Sequence, residues 1–136
     1  MSDRAIIRVA DVMEFNFISI EGLATVAEAL EQMSEQSARF LIVNKRSDDD
    51  EFGMVLVSDI AKQVLARHRP PGRVNVYEIM SKPVLGVAPD MDIRYCARLF
   101  ERFGISIAPV IEDGDIKGIV TYGGLVMKGL IKLTGD

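Results

Sequence analysis

The stretch Gly118-Ile119-Val120-Thr121-Tyr122-Gly123-Gly124-Leu125 decides the reading of this chain, because it occurs twice. An apolar run from Ile116 to Val120 meets a glycine pair and then the helical pattern Val126-Met127-Lys128-Gly129-Leu130. That is a strand running into a helix. The corner between them sets the Thr121 hydroxyl beside backbone N–H groups that no helical carbonyl satisfies, which suits an anion or a ribose-phosphate. The earlier copy is Gly53-Met54-Val55-Leu56-Val57-Ser58-Asp59-Ile60, again an apolar run that turns into a helix.

Working outward from the two corners, the whole chain duplicates. Met13 recurs as Met80, Val26 as Ile93 and Val43 as Val110, each 67 positions later, whereas Gly53 recurs as Gly118 after 65 because the first copy has a longer turn. The first copy reads as a short helical turn at 9–13, a strand at 17–20, a helix at 25–36, strands at 40–43 and 52–57, and a helix at 58–67 capped by Ser58. In the helix at 25–36, Val26, Ala29, Leu30 and Met33 share one face, and Thr25 with Glu28 forms a capping box. His68-Arg69-Pro70-Pro71-Gly72-Arg73 breaks the pattern with two prolines and a glycine. The second copy follows: a short helical turn at 76–80, a strand at 84–87, a helix at 92–103, strands at 107–111 and 116–120 joined by an Asp113-Gly114 turn, and a helix at 125–133. The expected fold class is mixed α/β (α+β), with repeats at 8–67 and 76–133 and a linker at 68–75. Each copy reads helix-strand-helix-strand-strand-helix, and the two are expected to pack about a pseudo-twofold axis.

Composition narrows the class. The 136 residues suffice to bury a core without a disulfide or a metal, and the single cysteine, Cys96, has no partner for an internal disulfide. Met1-Ser2-Asp3-Arg4 lacks the apolar stretch of a signal peptide, and no apolar run nears the roughly 18 residues of a membrane span. A soluble cytoplasmic protein with no membrane partner is expected. The net charge of −4 speaks against nucleic acid as a partner, with only Arg67, Arg69 and Arg73 clustered on the other side.

Several residues resemble a known family at this point. Asp11-Val12-Met13 and Glu78-Ile79-Met80 open the copies, Gly104-Ile105-Ser106-Ile107-Ala108-Pro109-Val110 follows the helix of the second, and the two glycine-led corners close them. This ordered set, over about residues 9–133, resembles a tandem cystathionine-β-synthase (CBS) domain pair, also called a Bateman module. The resemblance implies a stand-alone regulatory protein, not an enzyme. It would bind an adenosyl ligand (AMP, ADP, ATP, NAD or S-adenosylmethionine), work as a homodimer and signal to a regulated protein of unknown identity. It also implies ligand clefts that mix the two copies. One would join Asp59 and Ser58 to the backbone around Leu85, Ile105 and Ser106, with Pro109 in the same segment. The other would join Thr121 to Ile18, Ala38 and Arg39.

The family corner reads Gly-x-x-Thr/Ser-x-x-Asp, with the hydroxyl toward phosphate and the carboxylate toward the ribose hydroxyls. Here the pattern is divided: the first copy has Leu56 and Asp59, the second Thr121 and Gly124. Ser58 is a substitute hydroxyl or simply a helix cap. Arg39 stands where the second copy has Ser106, and either reaches a phosphate near Thr121 or pairs with a carboxylate. The alternative function is a degenerate pair that binds no ligand and serves oligomerisation or docking.

Other chemically suggestive residues have plainer readings. Cys96 shares a helix face with Ile93 and Phe100 and reads as a small buried hydrophobe. His68 reads as a solvated helix end, and Asp48-Asp49-Asp50-Glu51 as a solvated turn without the glycine or spacing of a calcium loop. One histidine and one cysteine do not make a zinc site.

Overall fold

The computed structural model describes residues 5–83 and 85–134. They form two compact units that do not coincide with the sequence repeats. One is Phe17–Pro83; the other joins residues 5–16 to residues 85–134. The short segment that opens each repeat therefore folds with the body of the other repeat. Strands and helices are mixed in both units, an α+β architecture.

In the unit Phe17–Pro83, strands β1 (Ser19–Ile20), β2 (Phe40–Val43) and β3 (Gly53–Leu56) form a sheet in that order, β1 parallel and β3 antiparallel to β2. β1 is shorter than the strand expected at 17–20. Helix α2 (Val26–Gln36) begins as read, with the Glu28 N–H donating to Thr25 Oγ1 at 3.1 Å and the Thr25 N–H to Glu28 Oε1 at 3.2 Å. Its buried residues Val26, Ala29 and Met33 join Leu41, Val43 and Val55 in one core. Leu30, expected on that face, is exposed at its margin. The 3₁₀ turn Val76–Glu78 closes this core: the Val76 N–H donates to the Ala24 carbonyl and the Val26 N–H to the Val74 carbonyl, both at 2.8 Å. Ser81 then pairs with Met54 on the free edge of β3. The proline segment is not wholly irregular. Pro71–Arg73 makes one 3₁₀ turn with Pro71 in its first position, where a missing N–H leaves no bond unmade.

The second unit repeats this plan. Helix α1 (Val9–Val12) is tied by the Val9 N–H to the Met91 carbonyl and the Ala10 N–H to the Pro89 carbonyl, both at 2.8 Å. Glu14 pairs with Ile119 as Ser81 pairs with Met54. β4 (Ile107–Glu112) and β5 (Asp115–Thr121) are antiparallel around Asp113 and Gly114, whose φ values of +54° and +80° are those of the expected Asp-Gly hairpin turn. Of the strand expected at 84–87, Val84 lies outside the described residues, and Val87 makes a single parallel bridge to Val110. Helix α4 (Ile93–Phe103) is capped by the Asp92 carboxylate at one end and stops at Gly104, φ +65°, at the other. Ile93, Cys96 and Phe100 are buried with Val87, Val110 and Val120. Among the described residues no helix is long and apolar enough to cross a membrane.

Candidate ligand site at the strand-to-helix corners

Each unit carries one corner. In Phe17–Pro83, β3 ends at Leu56 and α3 (Val57–Ile60) continues as a π-helical segment, Ala61–Leu65. The helix starts one residue earlier than expected, and Ser58 is not its cap: Ser58 is exposed, and no capping bond from it occurs among the described residues. The cap comes from Asp59, whose Oδ2 accepts the Leu56 N–H at 2.8 Å. A carboxylate in the first helical turn satisfies an orphan donor and complements the helix dipole, which Ser58, pointing outward one residue earlier, does not. The Val57 N–H donates to the Arg39 carbonyl at 3.0 Å, so the backbone at Arg39 pins the same corner while its side chain is exposed.

The corner of the second unit is built alike with the other half of the pattern. β5 ends at Thr121, helical backbone starts at Tyr122, and a π-helical segment Gly124–Leu130 leads into α5 (Ile131–Thr134). The last helix thus begins three residues before the expected Leu125. Thr121 Oγ1 accepts the Gly124 N–H at 3.0 Å, and the Tyr122 N–H donates to the Ser106 carbonyl at 3.2 Å.

The divided motif therefore has a local meaning. Thr-x-x-Asp at a helix start is the arrangement of a capping box, in which the first residue's side chain accepts the N–H three residues on and that residue's carboxylate accepts the first N–H. Asp59 performs the second half at its corner and Thr121 the first half at the other. Both side chains keep acceptor capacity beyond those single bonds, since a carboxylate has about four lone-pair positions and a hydroxyl two plus a donor.

One feature was not legible in the motif. A Cβ built on Gly124 would lie 3.0 Å from the Val12 carbonyl oxygen. The missing carboxylate of the second copy thus coincides with a close approach of the last helix to α1. The π-helical segments were also unforeseen, because a bond from the Ala66 N–H to the Ala61 carbonyl, at 2.8 Å, alters winding without altering the apolar pattern.

Of the other expected site residues, Ile18 is buried, Ala38 half-buried and Arg39 exposed, all in the unit with Ser58 and Asp59. Leu85 and Ile105 are half-buried, Ser106 is exposed and Pro109 is buried within β4, all in the unit with Thr121. Cys96 is fully buried and burial pushes its thiol up to about 11, so it remains a protonated apolar group. The acidic turn is less free than expected. Asp50 accepts the Arg46 N–H at 2.9 Å and pairs with Lys82 Nζ at 3.1 Å, which together hold its carboxyl down at about 2.

Comparison with known proteins agrees with this geometry. The family model of the CBS domain matches twice, over residues 9–66 and 76–128. The chain belongs to the CBS domain family. The structure of a hexameric CBS-CP12 protein from bloom-forming cyanobacteria is 36% identical with a TM-score of 0.86, covering 93% of this chain and 73% of that one. A CBS domain protein from Pyrobaculum aerophilum complexed with AMP shares the fold at 17% identity and TM-score 0.79, covering 96% of this chain and all of that one. A CBS domain pair in complex with methylthioadenosine and S-adenosyl-L-methionine does so at 23% identity and TM-score 0.77, covering 91% and 96%. Among curated proteins, an uncharacterised 33.4 kDa protein of Thermofilum pendens is 30% identical over 85% of this CBS chain and 41% of its own length. An uncharacterised protein of Methanopyrus kandleri is 29% identical over 85% and 59%. This CBS pair spans less than two thirds of the length of either curated relative.

Proposed function

We propose that this CBS pair is a regulatory module of the cytoplasm, not a catalyst, that binds an adenosine-containing ligand and passes the change of state to a regulated protein. The observation that carries this is the pair of strand-to-helix corners, one with the Asp59 carboxylate and one with the Thr121 hydroxyl at the start of a helix. Asp59 is suited to ribose hydroxyls and Thr121, with the adjoining N–H groups, to phosphate. The ligand-binding residues of this reading are Asp59, Ser58, Ile18, Ala38 and Arg39 in the one unit and Thr121, Leu85, Ile105, Ser106 and Pro109 in the other. AMP in one fold relative and S-adenosyl-L-methionine in another support the ligand class. A ligand that prefers one of two arrangements shifts the population toward it, which is the signal a partner reads. Self-association as a homodimer belongs to the same reading, supported by the exposed apolar residues of the last helix.

Calorimetric titration with AMP, ADP, ATP, NAD and S-adenosylmethionine tests it. Binding of at least one below about 1 mM is expected. Absence of heat with all five sinks the sensor reading.

A second reading, a ligand-free docking pair, is favoured by a specific observation. Both motif side chains already serve their own corners, and Gly124 sits too close to the Val12 carbonyl for a carboxylate to be restored without strain. Leu56→Thr distinguishes the two, because it completes Thr-x-x-Asp in the first copy. Binding that appears only in this variant supports the docking reading for the natural chain.

A further inference from the structure

In both units the opening segment of one repeat meets the loop before the long helix of the other in the same register. The Ala10 N–H donates to the Pro89 carbonyl as the Tyr77 N–H donates to the Gly22 carbonyl, and Arg8 bridges Asp92 as Asn75 bridges Thr25. Each residue here has its counterpart 67 positions away in the other unit, yet the counterparts differ in size and charge. In Phe17–Pro83, Tyr77 lies over Gly22, its Cβ 3.3 Å from where a Cβ on Gly22 would stand, and Asn44 Nδ2 donates to Glu21 Oε2 at 2.6 Å. In the other unit the same four places hold Ala10, Pro89, Ile111 and Ala88. These smaller or apolar residues floor a groove of about 300 Å³.

Charge of both signs edges this groove, from Arg8, Asp90 and Glu112. Arg8 Nη1 donates to the Asp90 carbonyl at 2.6 Å, which holds the guanidinium at the rim and leaves its other N–H donors for a ligand. Among the described residues, none of the three forms an ion pair. Their counterparts are Asn75, Leu23 and Lys45, of which Asn75 donates to the Leu23 carbonyl and Lys45 lies over the Phe52 ring. A cation and two carboxylates around an apolar floor therefore stand in one unit and have no counterpart in the other. The groove is also remote from the Thr121 corner. Ile111 and Glu112 lie at the hairpin end of β4, whereas Thr121 pairs with Ile107 at its opposite end.

We propose that this groove binds a free α-amino acid with an aliphatic side chain. The ligand's carboxylate goes to the Arg8 guanidinium, whose planar donors match a carboxylate. Its ammonium goes to the Asp90 and Glu112 carboxylates, and its side chain lies on Ala10, Pro89 and Ile111. A ligand with only one of the two charges leaves part of the charged rim unpaired, which is the source of specificity. The volume is at the small end of the range for ligand sites and suits a molecule of this size. All three charged side chains are exposed, and exposed ion pairs are individually weak, so an affinity of about 1 mM is expected. This site lies outside the corners and does not depend on the nucleotide reading.

Amide-resolved NMR titration of the full chain tests it, with L-leucine and its two truncated analogues, isoamylamine and isocaproate. L-leucine is expected to move the amides of Ala10, Asp90 and Glu112 and to leave those of Asp59 and Thr121 in place. Each analogue lacks one charge and is expected to bind at least about tenfold more weakly, as is L-leucine to R8Q and to D90N/E112Q. A10Y installs the residue found at the counterpart position and is expected to abolish binding. Ala10, Asp90 and Glu112 are exposed, so A10Y and D90N/E112Q should melt with wild type, and they carry the test if R8Q melts early. Analogues that bind as well as L-leucine overturn the amino-acid assignment. Variants that bind as tightly as wild type, shifts confined to the corners, or no shifts at roughly 20 mM L-leucine overturn the site itself. Titration with nucleotides reads the corners and not this groove, so the sensor reading and this site fail separately.

Discussion

Thr121→Val removes one hydroxyl and almost no volume, which makes it the sharpest test of the cap that closes the second corner. The hydroxyl accepts the Gly124 N–H at 3.0 Å, and Gly124 is buried. Valine keeps the β-branched shape that suits the last residue of β5 and leaves the Gly124 N–H without its partner where water cannot easily replace it. Loss of a side-chain cap costs about 1 kcal/mol, and a buried donor left unmade costs about 1–3 kcal/mol, so about 1–2 kcal/mol is expected. With an unfolding entropy of about 2.1 cal/mol/K per residue over 136 residues, that is a fall in Tm of about 3–7 °C. Urea unfolding and calorimetry measure it. Thr121→Ser is the control: it keeps the acceptor and loses a methyl group, and should retain most of the stability. If valine unfolds with wild type, or if serine loses as much as valine, the hydroxyl does not hold the corner and the account of the divided capping box is wrong.

Three further outcomes follow from other residues. Asp59→Ala should cost about 1 kcal/mol by releasing the Leu56 N–H, while Ser58→Ala stays within about 0.5 kcal/mol, because the carboxylate and not the serine caps α3; equal losses in urea melts contradict this. Ser37 ends α2 at φ +53°, a left-handed conformation that suits glycine, so Ser37→Gly should gain about 0.5–1 kcal/mol, and a loss in thermal melts would show the serine side chain to be needed there. Asp50 has a folded pKa held down at about 2 from 3.8, so its contribution to stability is complete above pH 4 and disappears as pH falls toward 2; Asp50→Asn should flatten the stability profile across that window and leave the slope at neutral pH unchanged.

Much of the fold was legible in the residues. The apolar spacing of Val26, Ala29 and Met33 and the Thr25–Glu28 pair marked α2, and Asp113-Gly114 marked the hairpin between β4 and β5, because these signals act over a few residues. The candidate site was legible only in part. Asp59 and Thr121 stood out by their offset from the glycines, but the sequence suggested Ser58 as the cap of α3. Serine is a common cap, and only the backbone path shows that Leu56 occupies the cap position and that the carboxylate three residues on reaches its N–H. The exposure of Leu30 escaped for a related reason: helical spacing orients a residue, but how far neighbouring segments cover it is set by tertiary packing.

By itself, then, the sequence determined that this CBS chain is a duplication of strand-to-helix corners and that the two halves of the corner motif are divided between the copies. These are properties of spacing and residue type, which short-range periodicity and turn chemistry encode directly. The tertiary structure alone decided that each repeat's opening segment folds into the other compact unit. Val76 bonds to Ala24, and Val9 to Met91, across sequence separations that no local pattern spans. It also decided that Gly124, the counterpart of Asp59, stands in a tight approach. The last helix passes so close to α1 that the Val12 carbonyl lies 3.0 Å from where a Cβ on Gly124 would stand, and that approach exists only once the distant segments have packed.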